Sequence, residues 1–168
     1  MSNYIYFWKI SENPHGVFSQ WYMSDFTHSN IKYNCTEQFM MAKKAELFFD
    51  TINYKKIMNT TDPVEMRKFG RKVKNFDNAI WEEHSYKIVL QANLCKFVQD
   101  KHLKDILLAT KDKILVEASP YDKVWGVGLS AKNPKILNKN TWNGKNLLGK
   151  VLMDVRTRLM NELLKDSC

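Results

Sequence analysis

Hydrophobic positions along this chain change period several times, and each change marks an element. Tyr4 to Ile10 is aromatic and β-prone, which predicts a first strand. Asn13, Pro14 and Gly16 then supply turn chemistry between Ser11 and Gly16. Val17 to Phe26 is rich in aromatics, and Ile31 to Asn34 suits a short strand. From Thr36, read as an N-cap, a helical pattern runs to about Phe49. A second helix starts with Asp62 as cap and Pro63 as first residue, with Glu65 placed to complete a capping box, and runs to about Val73. Asp77 opens a longer helix from about Asn78 to Phe97, and Lys101 to Thr110 reads as another. Lys113 to Ala118 predicts a strand, Ser119 to Gly128 a shaped loop, and Ala131 to Gly144 an exposed one. Asn146 can cap a last helix to about Lys165, in which Leu148, Leu152, Val155, Leu159 and Leu163 recur at helical spacing and face a core. With no repeat and no linker, the pattern describes an α-rich α+β protein: a single domain over residues 1–168, with about five helices and a small β-sheet.

Composition narrows the chemistry. A chain of 168 residues that is 44% hydrophobic and 26% charged can bury a core without disulfides or metal. The three cysteines, Cys35, Cys95 and Cys168, are odd in number and lack close spacing, which favours reduced thiols in the cytoplasm. Met1 to Ile10 lacks the basic start and apolar run of a secretory signal, and no apolar stretch approaches bilayer length. The expected location is therefore cytoplasmic, without a membrane partner. A formal net charge of +8 favours anionic partners, although a solvated lysine-rich surface is the more ordinary explanation. The four arginines, Arg67, Arg71, Arg156 and Arg158, are the side chains best suited to forked phosphate contacts.

Four segments could carry chemistry. On the helix from Thr36, Glu37 and Lys44 lie seven residues apart, which sets them on one face roughly 10 Å from each other. Met41 and Phe48 share that face, so an acid and an amine flank an apolar stripe. The alternative is a partly exposed helix with a snorkelling lysine. The second segment, Leu115 to Gly128, combines Glu117, Ser119, Pro120, Tyr121, Asp122, Trp125, Gly126 and Gly128. Aromatic rings stack on heterocycles, carboxylates bind sugar hydroxyls or activate water, and glycines let a backbone approach a ligand. A rigid structural turn plugged by Trp125 is the competing account. The third is Trp81-Glu82-Glu83, where Trp81 could line a pocket or pack a core. The fourth is Gly16 to Trp21, in which Ser19 and Gln20 offer polar contacts and an ordinary turn is the alternative. The four histidines show no metal-ligand spacing, and no phosphate-binding glycine loop or nucleophile elbow is present.

Taken together these segments resemble the NADAR (YbiA-like) family. The glycine followed by an FSNF-like segment is matched by Gly16, Phe18, Ser19, Gln20 and Trp21. The Glu-His-aromatic-aromatic-Gln-Ala-x-Lys block is matched by Glu37 to Lys44, the Gly-Arg pair by Gly70-Arg71, the Trp-Glu pair by Trp81-Glu82, and the Lys-Phe by Lys96-Phe97. Glu117, Ser119, Pro120, Asp122, Trp125, Gly126 and Gly128 match the Glu-x-Ser-Pro-x-Asp-x-x-Trp-Gly-x-Gly signature completely. Asn146, Leu148, Gly149, Leu152, Met153 and Arg156 match the closing block. The departures are Gln20 for Asn, Gln38 for His and Met41 for Gln, each altering a polar group beside the implied pocket. The stretch Ala131 to Gly144 is long for the family.

The resemblance implies an N-glycosidase that hydrolyses the C–N bond at the anomeric carbon of ribose through an oxocarbenium-like state. Its catalytic residues would be Glu37 as general acid/base, Lys44 as an amine able to trap the opened sugar as a Schiff base, Trp81 shaping the base pocket, and Asp122 orienting sugar or water. Lys44 would need a depressed pKa, which an apolar helix face can provide. Substrate-binding positions would be Gly16, Ser19, Gln20, Trp21, Arg71, Glu117, Ser119, Pro120, Tyr121, Trp125, Gly126, Asn146, Gly149, Lys150 and Arg156, with Lys150 or Arg156 holding phosphate near the start of the last helix. No metal and no cofactor are implied. The implied substrates are phosphorylated ribosylamino-pyrimidine intermediates of riboflavin synthesis. A second reading is removal of ADP-ribose from guanine in nucleic acid. A third is a non-catalytic module that binds ADP-ribose or nucleotides. All of these expect the acid, the amine and the Asp122 loop to converge on one sugar carbon.

Overall fold

The computed structural model describes residues 3–166; Cys168, one of the three expected reduced thiols, lies outside them. In chain order the elements are β1 (Tyr4–Phe7), a 3₁₀ turn (His15–Phe18), β2 (Phe26–His28), β3 (Ile31–Tyr33), α1 (Thr36–Leu47), α2 (Thr51–Met58), α3 (Pro63–Gly70), α4 (Asn78–Gln99), α5 (Lys101–Leu108), β4 (Ile114–Glu117), 3₁₀ turns at Pro134–Leu137 and Lys139–Thr141, and α6 (Leu147–Asp166). The class is α-rich α+β; among the described residues there are six helices where the pattern suggests about five, and two small sheets instead of one. The chain divides into two compact units, Met1–Ser19 with Asp100–Cys168, and Gln20–Gln99.

In the first unit β1 pairs in parallel with β4, Tyr4 opposite Ile114 and Phe7 opposite Glu117. Parallel pairing requires a long crossover, and here the whole of the second unit is the connection. Val116, Ala118, Val127, Leu129 and Ile136 form a buried cluster against which Tyr4, Tyr6 and Trp142 pack. The Ala131 to Gly144 stretch is thus not simply exposed: its 3₁₀ turn buries Ile136, whose carbonyl accepts from the Trp142 indole at 2.9 Å. The helix α6 lies against β4 through its buried face, Leu148, Val151, Leu152, Val155 and Leu159. Leu163, expected to continue that stripe, is 43% exposed. Asn146 does not cap α6 with its side chain. Its Oδ1 accepts from Glu117 N–H at 3.0 Å and its Nδ2 donates to the Leu115 carbonyl at 2.9 Å, so it ties the helix start to β4. Gly149, one turn later, abuts the Leu115 carbonyl so closely that a Cβ there would collide with it.

In the second unit α1 packs against α2, α3 and α4. The β2–β3 hairpin turns through Ser29 and Asn30, both at positive φ (50° and 63°), as a two-residue primed turn demands. Phe26, Tyr33 and Phe39 cluster beneath it, with ring centroids 4.9 to 6.0 Å apart. Aspartates start α2, α3 and α5, and Asp77 accepts from Ala79 and Ile80 N–H at the start of α4. Two capping expectations are corrected. Cys35, not Thr36, is the cap residue of α1, and the Thr36 hydroxyl donates to the Gln20 carbonyl at 3.1 Å. The capping box at Asp62 is replaced by an Asp62 N–H bond to Thr60 Oγ1 at 3.1 Å. The helix α1 stops at Leu47, two residues early, because Phe49 enters the left-handed region (φ 57°), and Asp50 at once begins α2, an element the pattern missed.

Candidate functional site

The helix α1 carries the acid and the amine. Glu37, in its first turn, is 5% exposed, and its N–H donates to the Gln20 carbonyl at 3.0 Å. Lys44, two turns on, is half-buried. Its Nζ stands 4.1 Å from the Phe76 ring centroid and 5.5 Å from that of Trp81, so the ammonium is cradled by aromatic faces. Burial holds the Lys44 amine below its usual pKa, the Arg71 guanidinium pushes it further down, and the Glu37 carboxylate opposes both. Glu37, Lys44, Arg71 and Trp81 therefore belong to one electrostatic neighbourhood in the second unit. Arg71 itself is exposed at the end of α3.

The surroundings of α1 are closely fitted. Gly70, the last residue of α3, touches the Met41 side chain, and a Cβ there would run into the sulfur. Gln20 is 8% exposed. Its Nε2 reaches Met40 Sδ at 3.3 Å, while its Oε1 is buried with no hydrogen-bond partner among the described residues, an acceptor to spare. Trp21 follows, partly exposed. One ionisable group that the resemblance matched was given no role: Lys96 on α4 is fully buried, its Nζ 5.3 Å from the ring centroids of Tyr22 and Phe97. The available signal was its position, seven residues after buried Val89 and three after buried Asn93, on the core-facing stripe of α4.

The first unit holds the remaining candidates. Asp122 Oδ1 accepts from the N–H groups of Val124 at 2.9 Å and Trp125 at 2.8 Å, which folds the Ser-Pro-Tyr-Asp loop into a tight turn. Trp125 is buried, Ser119 is buried, and Pro120 is partly exposed. Tyr121 is 85% exposed, with its ring 6.0 Å from that of Trp8. The Glu117 backbone receives Val127 N–H and donates to Asn146, and Gly126 sits where a Cβ would press on the Asp122 and Glu117 carbonyls. Gly16 and Ser19 are buried at the 3₁₀ turn after β1. Lys150 is exposed in the first turn of α6. Arg156 lies more than two turns into α6, beyond the helix start expected for it, and its guanidinium donates to Thr110 Oγ1 at 2.7 Å and the Lys113 carbonyl at 2.9 Å. Asn146, Asp122 and Arg156 thus each hold the fold of this unit together. Among the described residues no group of three His, Cys, Asp or Glu side chains is arranged to hold a metal, and no helix is long and apolar enough to cross a membrane.

A buried acid and a pKa-depressed amine on one helix, faced by tryptophan in an α-rich α+β frame, mark a protein built around polar groups withheld from water. The chain belongs to the NADAR domain family, whose profile matches residues 6–160. It is 43% identical over 160 residues to N-glycosidase R617 of Acanthamoeba polyphaga mimivirus, covering 91% of this chain and 94% of that one. It is 30% identical over 166 residues to the chloroplastic riboflavin biosynthesis protein PYRR of Arabidopsis thaliana, covering 92% of this chain and 25% of that one. The solved NMR structure of the E. coli protein YbiA is similar with a TM-score of 0.80 and 27% identity, covering 98% of this chain and 89% of that one.

Proposed function

We propose that this chain is a hydrolase of N-glycosyl bonds in which Glu37 and Lys44 do the chemistry and Trp81 shapes the space for a base. The observation that carries the reading is the Lys44 amine, its pKa depressed, lying over the Phe76 and Trp81 rings on the same helix as a buried carboxylate. An amine is nucleophilic only when unprotonated, so burial and Arg71 do what the reaction needs. The Glu37 carboxylate takes a proton from the Lys44 ammonium, and the freed amine attacks the anomeric carbon. The bond to the base nitrogen breaks as Glu37 returns the proton to it. The sugar is left as a glycosylamine on Lys44; its ring C1–O bond then opens as one nitrogen proton passes to the ring oxygen, giving the imine, and water hydrolyses that imine to release the sugar and the amine. Gln20, with its unpartnered buried Oε1, is suited to accept a hydrogen bond from sugar or base.

The names of two relatives, an N-glycosidase and a riboflavin biosynthesis protein, support phosphorylated ribosylamino-pyrimidines as the substrate class. The net charge of +8 favours a second reading, release of ADP-ribose from guanine in nucleic acid. Incubation with both substrate types, with free base as the readout, separates them. Borohydride added during turnover is expected to leave a sugar adduct on Lys44, with Lys44→Ala and Glu37→Gln each slowing base release by roughly 10²-fold or more. A Lys44→Ala protein that turns over normally and traps nothing would remove the covalent route. Full turnover by Glu37→Gln would remove the acid/base role.

A further inference from the structure

Lys96 is unaccounted for by the chemistry above. Lysine is rarely withdrawn from water completely, because an ammonium without a compensating anion is costly to bury. Yet Lys96 is fully buried, with aromatic faces of Tyr22 and Phe97 at 5.3 Å. Among the described residues of its unit, the carboxylates classed as buried are Glu37 and Asp50. Asp50 is committed elsewhere: its oxygens accept from Asn53 N–H, Asn53 Nδ2 and Lys74 N–H. Glu37 is the other, and the fold brings it toward Lys96 by three routes. The helices α1 and α4 pack together. The Gln20 carbonyl receives the Glu37 N–H at 3.0 Å, and two residues on Tyr22 covers the Lys96 ammonium. Cys35, next to α1, feels both charges: its thiol is pushed up to about 11, chiefly by burial, with the Glu37 carboxylate adding to the rise and Lys96 opposing it.

We infer that Lys96 is a positioning residue for Glu37, a permanently buried positive charge that keeps this carboxylate ionised and oriented at the start of α1. The inference rests on the proposed function and deepens it. Glu37 then begins the cycle as a base, ready to strip Lys44, and becomes an acid only after it has taken that proton. The other titratable and charged groups tied to the pair are Cys35, which feels both charges, and Tyr22, over the Lys96 ammonium, with Lys44 and Arg71 further along α1 and α3. The cations among them add to the effect of Lys96 without replacing it, because both lie toward the far end of α1.

The test uses the full chain with Lys96→Met, Lys96→Arg, Glu37→Gln and the Lys96→Met/Glu37→Gln double variant. Carbon-detected NMR titration of the Glu37 carboxyl is expected to shift its midpoint upward by one pH unit or more in Lys96→Met and to leave it near wild type in Lys96→Arg. If Lys96→Met does not fold, the reciprocal reading serves: in Glu37→Gln the Lys96 ammonium is expected to titrate at least one unit lower. Urea midpoints of the four proteins are expected to be non-additive, the double variant regaining part of what each single change loses. An unmoved Glu37 midpoint, or an unmoved Lys96 midpoint in Glu37→Gln, together with strict additivity, would overturn the inference. Neither readout needs turnover, so a wild-type protein that releases no base would sink the proposed activity and leave this coupling standing.

Discussion

At the scale of single residues, side chains that look alike in sequence divide into those that shape the fold and those left for chemistry. Asp50 shapes the fold. It caps α2 and also receives Asn53 Nδ2 and Lys74 N–H, and these donors hold its carboxyl near pKa 2. A depressed carboxylate stabilises the native state above its unfolded pKa of about 3.9. That contribution fades as pH falls through about 2. Asp50→Asn is therefore expected to cost about 1–2 kcal/mol at pH 7 and progressively less between pH 4 and 2, measured by urea unfolding across that range. Lys44 is of the other kind, poised over rings with no carboxylate ion-paired to it among the salt bridges described. The sequence separates these cases only partly. Seven-residue spacing placed Glu37 and Lys44 on one helix, but nothing in the local pattern tells Asp122, whose oxygen folds its own turn, from a carboxylate aimed at a ligand. Lys96, matched only as part of a Lys-Phe pair, was given no role for the opposite reason, since a charged residue on a core-facing stripe looks like an interruption of the stripe.

At the scale of elements, helix starts were the best-read feature because aspartate caps act locally. Asp62 and Asp77 open helices where the chain places them. What failed depended on tertiary forces. The helix α2 was missed because an exposed phenylalanine, Phe49, adopts a left-handed conformation that glycine or asparagine would ordinarily signal. Of the hairpin, β3 falls where Ile31 to Asn34 suited a short strand, but β2 has three residues, too few for alternation to register. The junction of β4 and α6 shows how one residue can serve two elements: Asn146 combines a positive φ of 54° with two hydrogen bonds to the strand. Asn146→Gly keeps the backbone conformation and is expected to lose about 1–3 kcal/mol through the bonds alone. Asn146→Ala adds about 1 kcal/mol of left-handed strain. Chemical denaturation should rank wild type above Asn146→Gly above Asn146→Ala; equal stability of the two variants would mean the left-handed backbone relaxes.

At the scale of the whole molecule, the α-rich α+β class was legible from periodicity, and the likeness to YbiA extends over 98% of the chain. The division into two units was not legible, because no linker or composition shift marks Gln20 or Gln99. The surplus of positive charge acts on any anionic substrate from a distance. With a phosphorylated substrate, kcat/KM is expected to fall roughly 3-fold or more between 10 and 150 mM salt, with kcat little changed. A flat salt profile would assign the lysines to solubility alone. The chain order carries a last consequence, for synthesis on the ribosome. Tyr4–Phe7 emerges ahead of its pairing partner Ile114–Glu117, which follows more than a hundred residues later, after all of Gln20–Gln99. Throughout that interval the nascent chain carries an aromatic segment whose backbone N–H and C=O groups lack their strand partner, the kind of strand that chaperones bind and that truncated translation products aggregate through.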